Sequence, residues 1–354
     1  MNGPHRNEFE QKKESYAFIP GLGLISEDPR EKERAELRIV SNKIGMALIL
    51  YILLSLFLSV PLIGLLSLLG FPVRIDWISG VYYAPAAVQQ VVNLIMMLLR
   101  MGLPCLFLWK TMRPELSAQK VMRSPRAGLT MAAVFIGLAA SVSMTYVVEM
   151  LQQVFVSAGF LLTSQTLNIP TEPLAIVLYF VLMVVLPAFL EELLFRGAIM
   201  HGLKRFGDGL AVLLSALLFA LAHLSLISGC NAFVMGLIIG YFVIKTGSLW
   251  TGILMHFFIN TVGFLQAMFS VGALRDYASD IVLIINVILL ALGLLVFVVV
   301  TLRDKSLFYI SYPSSTCLST RERLVVFFSS VLLLAAVVTL IFLSLSVLQV
   351  GGGV

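Results

Sequence analysis

The stretch that decides the fold is Leu186-Pro187-Ala188-Phe189-Leu190-Glu191-Glu192-Leu193-Leu194-Phe195-Arg196-Gly197, which lies inside an apolar run from 173 to 203. A run of this length is typical of a helix that crosses a membrane. Of the 354 residues in the chain, 59% are hydrophobic and 12% are charged, whereas a soluble domain carries about 25% charged residues. The chain is therefore predicted to be an integral membrane protein. The charged groups in this run call for an explanation, because ionisable side chains are costly in lipid.

Eight further apolar runs accompany this one, so the fold class is predicted to be all-α, a polytopic transmembrane bundle of about nine spans. The predicted spans are 44–70, 87–109, 127–152, 173–203, 208–227, 230–247, 249–270, 280–302 and 325–348. Helices are expected because lipid cannot satisfy exposed backbone polar groups. The chain has no alternating ten-residue pattern of the kind that builds a membrane barrel.

The placement of Lys and Arg predicts the orientation of the bundle. Twenty-one of these residues fall on the side of the N-terminal tail, and only Arg74 and Arg275 fall on the opposite side. By the positive-inside rule the N-terminus is expected to be cytoplasmic. The predicted organisation is a polar cytoplasmic tail over 1–43, a helical domain over 44–348 and a short C-terminal tail over 349–354. No nucleic-acid partner is expected, because the N-terminal tail carries mixed charge.

Two adjacent carboxylates mark the fourth predicted span. Arg196 follows Glu192 by four residues, so the two share a helix face and are expected to form an ion pair. Glu191 points about 100° away and is predicted to face a cavity, where a carboxylate is suited to taking a proton from water. The alternative interpretation is that this motif is a charged helix end at the cytoplasmic surface, since Lys204 and Arg205 are close.

Two of the four histidines fall within later apolar runs. Phe219 lies one turn before His223 and is expected to pack against its imidazole. His256 and Asn260 are four residues apart, so both project from one face, and two hydrogen-bond donors there are suited to holding an oxyanion. Taken singly, His223 could also be a satisfied core residue, and the His256–Asn260 pair a clamp between helices.

The ordered series Glu-Glu-x-x-x-Arg, Phe-x-x-x-His and His-x-x-x-Asn resembles the CPBP family. This family comprises the type II CAAX prenyl endopeptidases and the bacteriocin-processing or Abi proteins. The resemblance covers about 173–265 and includes Gly247-Ser248-Leu249-Trp250.

The resemblance implies a helical bundle whose cavity opens to the cytosol and the membrane. It also implies a role for each motif residue. Glu191 and His223 would activate water, while His256 and Asn260 would stabilise the tetrahedral oxyanion. Supporting roles would fall to Glu192, Arg196 and Phe219.

The leading hypothesis is an intramembrane endopeptidase that needs no cofactor and cuts a membrane-bound or lipidated peptide, in a multi-pass protein of a bacterial cell membrane. One alternative is a zinc protease with Glu191, His223 and His256 as ligands, although no His-Glu-x-x-His motif is present. Another is a non-catalytic scaffold or bacteriocin-immunity protein that binds a peptide or a sensor kinase. A transporter is a more distant alternative, because its polar residues would be spread along a path through both halves.

Three features are left outside the motif series. Asn93, Arg100 and Glu149 are further polar groups in apolar runs and are expected to have structural or interfacial roles. Gly236 and Gly240 form a small-xxx-small pair that is typical of close helix packing.

Finally, Glu191 is expected to lie about 20 Å from the cytoplasmic end of its span and His256 only about 12 Å from the start of its own, so tilted helices or different helix ends are required.

Overall fold

The computed structural model describes residues 16–19, 23–26, 28–76, 82–112, 122–162, 169–271, 274–305, 307, 316–346 and 348–350. The helices are α1 Pro29–Phe57, α2 Ser59–Leu68, α3 Ala86–Thr111, α4 Ala127–Ser157, α5 Pro173–Phe206, α6 Asp208–Leu221, α7 Leu226–Thr246, α8 Leu249–Phe269, α9 Ala278–Arg303, α10 Thr320–Phe328 and α11 Val331–Ser346. Three two-stranded antiparallel pairs join β1 Tyr16–Ile19 to β2 Gly23–Ser26, β3 Arg74–Ile75 to β4 Tyr82–Tyr83, and β5 Phe160–Leu162 to β6 Leu348–Val350. The fold is therefore the all-α membrane bundle predicted from composition.

Among the described residues, seven helices are long and apolar enough to cross a membrane, or eight if the bent pair α10–α11 counts as one span. This differs from the predicted nine. The predicted span 208–227 is the 14-residue helix α6, which is about 21 Å long and shorter than the hydrocarbon core of about 30 Å. The predicted span 325–348 is bent by 81° between α10 and α11, and 44–70 is divided at Leu58 between α1 and α2.

The predicted boundary at residue 43 is not a boundary of secondary structure. Helix α1 begins at Pro29, where the Asp28 side chain accepts a hydrogen bond from the Arg30 backbone N–H at 2.9 Å. The last four turns of the predicted tail are thus continuous with the first span. Of that tail, residues 1–15, 20–22 and 27 lie outside the described residues, as do 351–354 at the other end.

A charged cluster outside the spans ties α1 to the polar start of α10. Glu322 accepts hydrogen bonds from the guanidinium groups of Arg30 at 2.7 Å and Arg34 at 3.1 Å. Together with Ser319 it also forms a capping box at the start of α10. The hydrogen bonds from the Ser319 backbone and side chain, with the nearby Arg30 charge, lower the pKa of Glu322 to about 2. The Glu322 carboxylate therefore stays ionised at neutral pH.

Helix α5 contains two segments in which hydrogen bonds run from residue i to i+5, Val181–Val185 and Glu192–Met200. The first precedes Pro187, which has no backbone N–H to continue the α-helical pattern. In its place the Leu186 N–H donates to the Val181 carbonyl. These π-helical segments, called wide segments below, are a type that occurs frequently at functional sites. Their rise per residue along the helix axis is smaller than that of an α-helix.

Small residues bring α6, α7 and α8 against α5. A methyl group on Gly236 would lie 3.0 Å from Ala216 Cβ, and one on Gly240 would lie 3.2 Å from Val212 Cγ1. The small-xxx-small pair thus packs α7 closely against α6 within one chain. Together these helices form the centre of the bundle and position the polar groups described next.

Candidate functional site

A fully buried ion pair lies at the start of the second wide segment of α5. Arg196 Nη1 donates to Glu192 Oε1 at 2.8 Å, and both side chains have zero exposure. Arg196 Nη2 also donates to the Gly236 carbonyl oxygen at 3.3 Å. The ion pair expected from the four-residue spacing is therefore formed. Its burial contradicts the alternative of a charged helix end at the surface.

His256 of α8 contacts both carboxylates of α5. Its Nδ1 lies 3.0 Å from Glu192 Oε1, and its Nε2 lies 3.9 Å from Glu191 Oε2. An ionised carboxylate only accepts hydrogen bonds, so Nδ1–H donates to Glu192 and the ring orientation is set by that bond. Glu191 is the less buried of the two acids, with 13% of its side chain exposed. The Glu191 carboxylate is therefore accessible to water.

Phe219 of α6 is the common neighbour of the charged groups. Its ring centroid lies 4.7 Å from that of His223 and 6.1 Å from that of His256, in edge-to-face arrangements. The Arg196 guanidinium carbon lies 4.4 Å from the same centroid, a distance typical of a cation–π contact. One aromatic ring therefore holds both imidazoles and the guanidinium around one point.

His223 lies just beyond the end of α6 and is exposed. Its Nδ1 is 2.8 Å from the Phe219 carbonyl oxygen; because a carbonyl only accepts, Nδ1–H donates and Nε2 remains available as a base. The following residue, Leu224, has φ of 52°, an unusual value for a bulky side chain. The Tyr51 hydroxyl of α1 donates to the Ala222 carbonyl at 2.6 Å and so fixes this turn from outside.

Asn260 lies one helical turn beyond His256 on α8 and is half-buried. It makes no hydrogen bond with any residue that the structure describes, so its amide N–H groups are available to a ligand. Because residues four apart on an α-helix share a face, Asn260 belongs to the same side of α8 as His256.

The structure thus brings together side chains from α5, α6, the turn after α6, and α8. They are Glu191, Glu192 and Arg196 of α5, Phe219 of α6, His223 of the turn and His256 of α8, with Asn260 on the same face of α8. The pairing within this group differs in one respect from the expectation. The imidazole nearest Glu191 is that of His256, and Glu191 and His223 form no direct ion pair. The reason is that the His223 ring is drawn to the Phe219 carbonyl of its own helix end.

The sequence predicts unequal distances of Glu191 and His256 from the cytoplasmic ends of their helices, and the structure explains how the two residues still meet. Nine residues after Glu191 lie in the wide segment Glu192–Met200, which shortens the distance to the end of α5. Ser248 and Leu249 at the start of α8 are each only 1% exposed, so this helix begins below the surface of the bundle. Both effects bring His256 to the level of the carboxylates.

Three supporting residues escaped the reasoning from sequence. Gly252 lies one turn before His256, and a methyl group there would lie 2.8 Å from Glu192 Oε2. Ser215 of α6 donates to the Phe195 carbonyl at 2.8 Å, within the wide segment. The glycine four residues before His256 is a signal in the sequence that could have been used. Tyr51 is the third residue, and nothing in the sequence links it to residue 222.

The zinc alternative finds no matching arrangement of ligands. Over the ranges that the structure describes, no three His, Cys, Asp or Glu side chains lie where they could share a metal ion. Glu191, His223 and His256 are among the described residues that do not converge on one ligand position.

Comparison with known proteins gives one match. The family model described as Rce1-like, type II CAAX prenyl endopeptidase Rce1-like, matches residues 173–262. Neither the curated proteins nor the solved structures contain a significant match. The matched segment runs from the start of α5 into α8 and holds every motif residue of the site, while Tyr51 lies outside it.

Proposed function

We propose that this chain is an intramembrane endopeptidase. Its residues 173–262 match the type II CAAX prenyl endopeptidase Rce1-like family model, which agrees with the resemblance of the motif series to the CPBP family. Its substrate is a membrane-associated or lipidated peptide, cut by addition of water to a peptide bond. The observation that carries the proposal is that His256 lies within 3.9 Å of both carboxylates of α5, while its ring and that of His223 both pack against Phe219.

Water activation falls to Glu191 and His223. Glu191 is the partly exposed carboxylate, and His223 presents an unoccupied Nε2. One of them takes a proton from water as the water oxygen bonds to the substrate carbonyl carbon. When the carbon–nitrogen bond breaks, the same proton goes to the leaving amine. Positioned acids and bases of this kind contribute about 10²–10⁴-fold to the rate.

Oxyanion stabilisation falls to His256 and Asn260. Since Nδ1–H of His256 is committed to Glu192, Nε2 donates to an oxyanion only when the ring carries both protons. Asn260 contributes its amide N–H from the same helix face. Donors fixed in advance in a dry site are typically worth 10²–10³-fold in kcat.

The remaining groups hold these four in place. Glu192 orients His256, Arg196 neutralises Glu192, and Phe219 packs between the imidazoles. The wet side of the site is proposed to face the cytosol, as the distribution of Lys and Arg predicts.

The test is hydrolysis of a farnesylated Cys-Val-Ile-Met peptide by the purified full chain in lipid nanodiscs. Wild type is expected to release the tripeptide, and Glu191→Gln is expected to reduce the rate roughly 10²–10⁴-fold at unchanged thermal stability. Glu149→Gln, at an exposed position of α4, is the matched control and should keep full activity. A wild-type chain that binds the peptide without cutting it would instead favour the scaffold.

A further inference from the structure

Arg100 is a charged group that the proposed mechanism does not use. It lies near the middle of α3, a helix long and apolar enough to cross the membrane. Its Nε is buried without a hydrogen-bond partner, and the guanidinium forms neither a hydrogen bond nor an ion pair with the residues that the structure describes. A guanidinium at membrane depth is costly unless something pairs with it, so this side chain calls for an anionic partner.

Arg100 lines a cavity of about 330 Å³, a volume at the lower end of ligand pockets. The cavity lies where α3 meets the α1–α2 junction and the first wide segment of α5. Its polar lining residues are Ser55, Ser59, Asn93 and Arg100. The Asn93 side-chain oxygen accepts from the Tyr82 hydroxyl at 2.6 Å, so its amide N–H groups are the free atoms. The described lining contains one cation and no acid, which favours an anionic ligand.

The cavity adjoins the proposed catalytic groups. Pro187 lines it, and Glu191 follows Pro187 by one turn on the same face of the helix. On another side, the Arg100 guanidinium carbon lies 5.9 Å from the Tyr51 ring centroid, and the Tyr51 hydroxyl holds the carbonyl just before His223. The ring of Tyr51 therefore lies between Arg100 and the turn that carries His223.

We propose that Arg100 binds the free C-terminal carboxylate of the substrate, in a subsite that receives the residues after the cut bond. The inference rests on the proposed function and adds to it a residue from outside the family segment. An extended peptide covers at most about 3.3–3.6 Å per residue, so two or three residues bridge the helical turn that separates the cavity from Glu191. A guanidinium pairs with a carboxylate through two parallel hydrogen bonds, and the apolar lining strengthens them.

The experiment measures binding without cleavage, so that it is independent of catalysis. The full-length Glu191→Gln chain in phosphatidylcholine nanodiscs is titrated with the farnesylated Cys-Val-Ile-Met peptide as the free acid and as its C-terminal amide. The acid is expected to bind roughly 10- to 100-fold more tightly, which is the effect of a charge-assisted hydrogen bond. Adding Arg100→Gln should bring the acid to the affinity of the amide and leave the amide unchanged, while Arg100→Lys should retain part of the preference.

Arg303→Gln is the matched control, since it removes the same charge at the exposed end of α9 and should leave the preference intact. Equal affinities for acid and amide, a preference that survives Arg100→Gln, or no binding of the acid would each overturn the proposal. An equal weakening of both forms by Arg100→Gln would assign Arg100 a structural role. Phosphatidylglycerol retained in an Arg100-dependent way, with equal peptide affinities, would assign the cavity to a lipid phosphate.

Discussion

At the scale of single residues, the orientation of Glu192 depends on the absence of a side chain at Gly252. Oε1 of the Glu192 carboxylate accepts hydrogen bonds from Arg196 and His256, while Oε2 is buried and faces the backbone of α8. A methyl group at position 252 would lie 2.8 Å from both Oε2 and Val243 Cγ2. Real side chains avoid such distances, so the Glu192 carboxylate, the Val243 side chain or the α8 backbone must shift.

Gly252→Ala is therefore expected to lower kcat/KM for peptide hydrolysis roughly 10- to 100-fold, because small displacements of catalytic groups have effects of this size. The steady-state kinetics of the purified variant provide the measurement. Gly263→Ala is the control on the same helix, where an added methyl group meets nothing within 4 Å. Wild-type kinetics in Gly252→Ala would mean that the position of Glu192 does not matter.

The motif residues themselves could be predicted because charged groups stand out in an apolar sequence. The free-energy cost of placing a charged side chain in lipid is enough to single out Glu191, Glu192 and Arg196. The four-residue spacings then indicate which side chains share a helix face. Which imidazole approaches which carboxylate could not be predicted. That choice depends on the packing of the Phe219 ring and on the turn after residue 222, which no spacing encodes.

At the scale of elements, the short helix α6 explains how His223 reaches the site. Helix α6 has 14 residues and ends at Leu221, and the turn that follows carries His223 and the positive φ of Leu224. This turn is held by the Tyr51 hydroxyl of α1. Helix α1 therefore acts as a positioning element for a residue far away in sequence.

Tyr51→Phe is expected to lower kcat about tenfold with little change in KM, because the freed Ala222 carbonyl lets the His223 turn relax. The buried acceptor left without a partner should also reduce the free energy of unfolding by about 1–3 kcal/mol. Tyr83→Phe, at a position that is 64% exposed, should change neither quantity. A Tyr51→Phe chain that loses stability but keeps wild-type kcat would limit Tyr51 to a structural role.

The hydropathy pattern could not distinguish α6 from a full span. The apolar run 208–227 is long enough to cross, yet the helix ends at Leu221 and a new one starts at Leu226. The turn over 222–225 contains neither Gly nor Pro and only two polar residues, so it leaves no clear break in composition. The wide segments of α5 were equally hidden, although Pro187 indicated a disturbance before the site.

At the scale of the whole molecule, the residues proposed to react lie in the segment 173–262 that matches the family model, and the N-terminal helices α1 and α3 pack against that segment. Composition alone predicts the membrane class and the all-α fold, because lipid restricts the backbone to few solutions. The packing of α1 and α3 against the segment 173–262 could not be predicted, since neither helix carries a motif. The Tyr51 side chain of α1 contacts the turn that carries His223, and Arg100 of α3 contacts the Tyr51 ring.

The central claim is that side chains from α5, α6 and α8 together complement the tetrahedral intermediate of water addition. The most direct measurement is the affinity of the purified chain for a farnesylated peptide aldehyde, whose hydrate resembles that intermediate, against the corresponding alcohol. The account predicts that the aldehyde binds about 10²-fold or more tightly than the alcohol, and that Asn260→Ala removes most of this difference. Equal affinities of the wild-type chain for aldehyde and alcohol would contradict it.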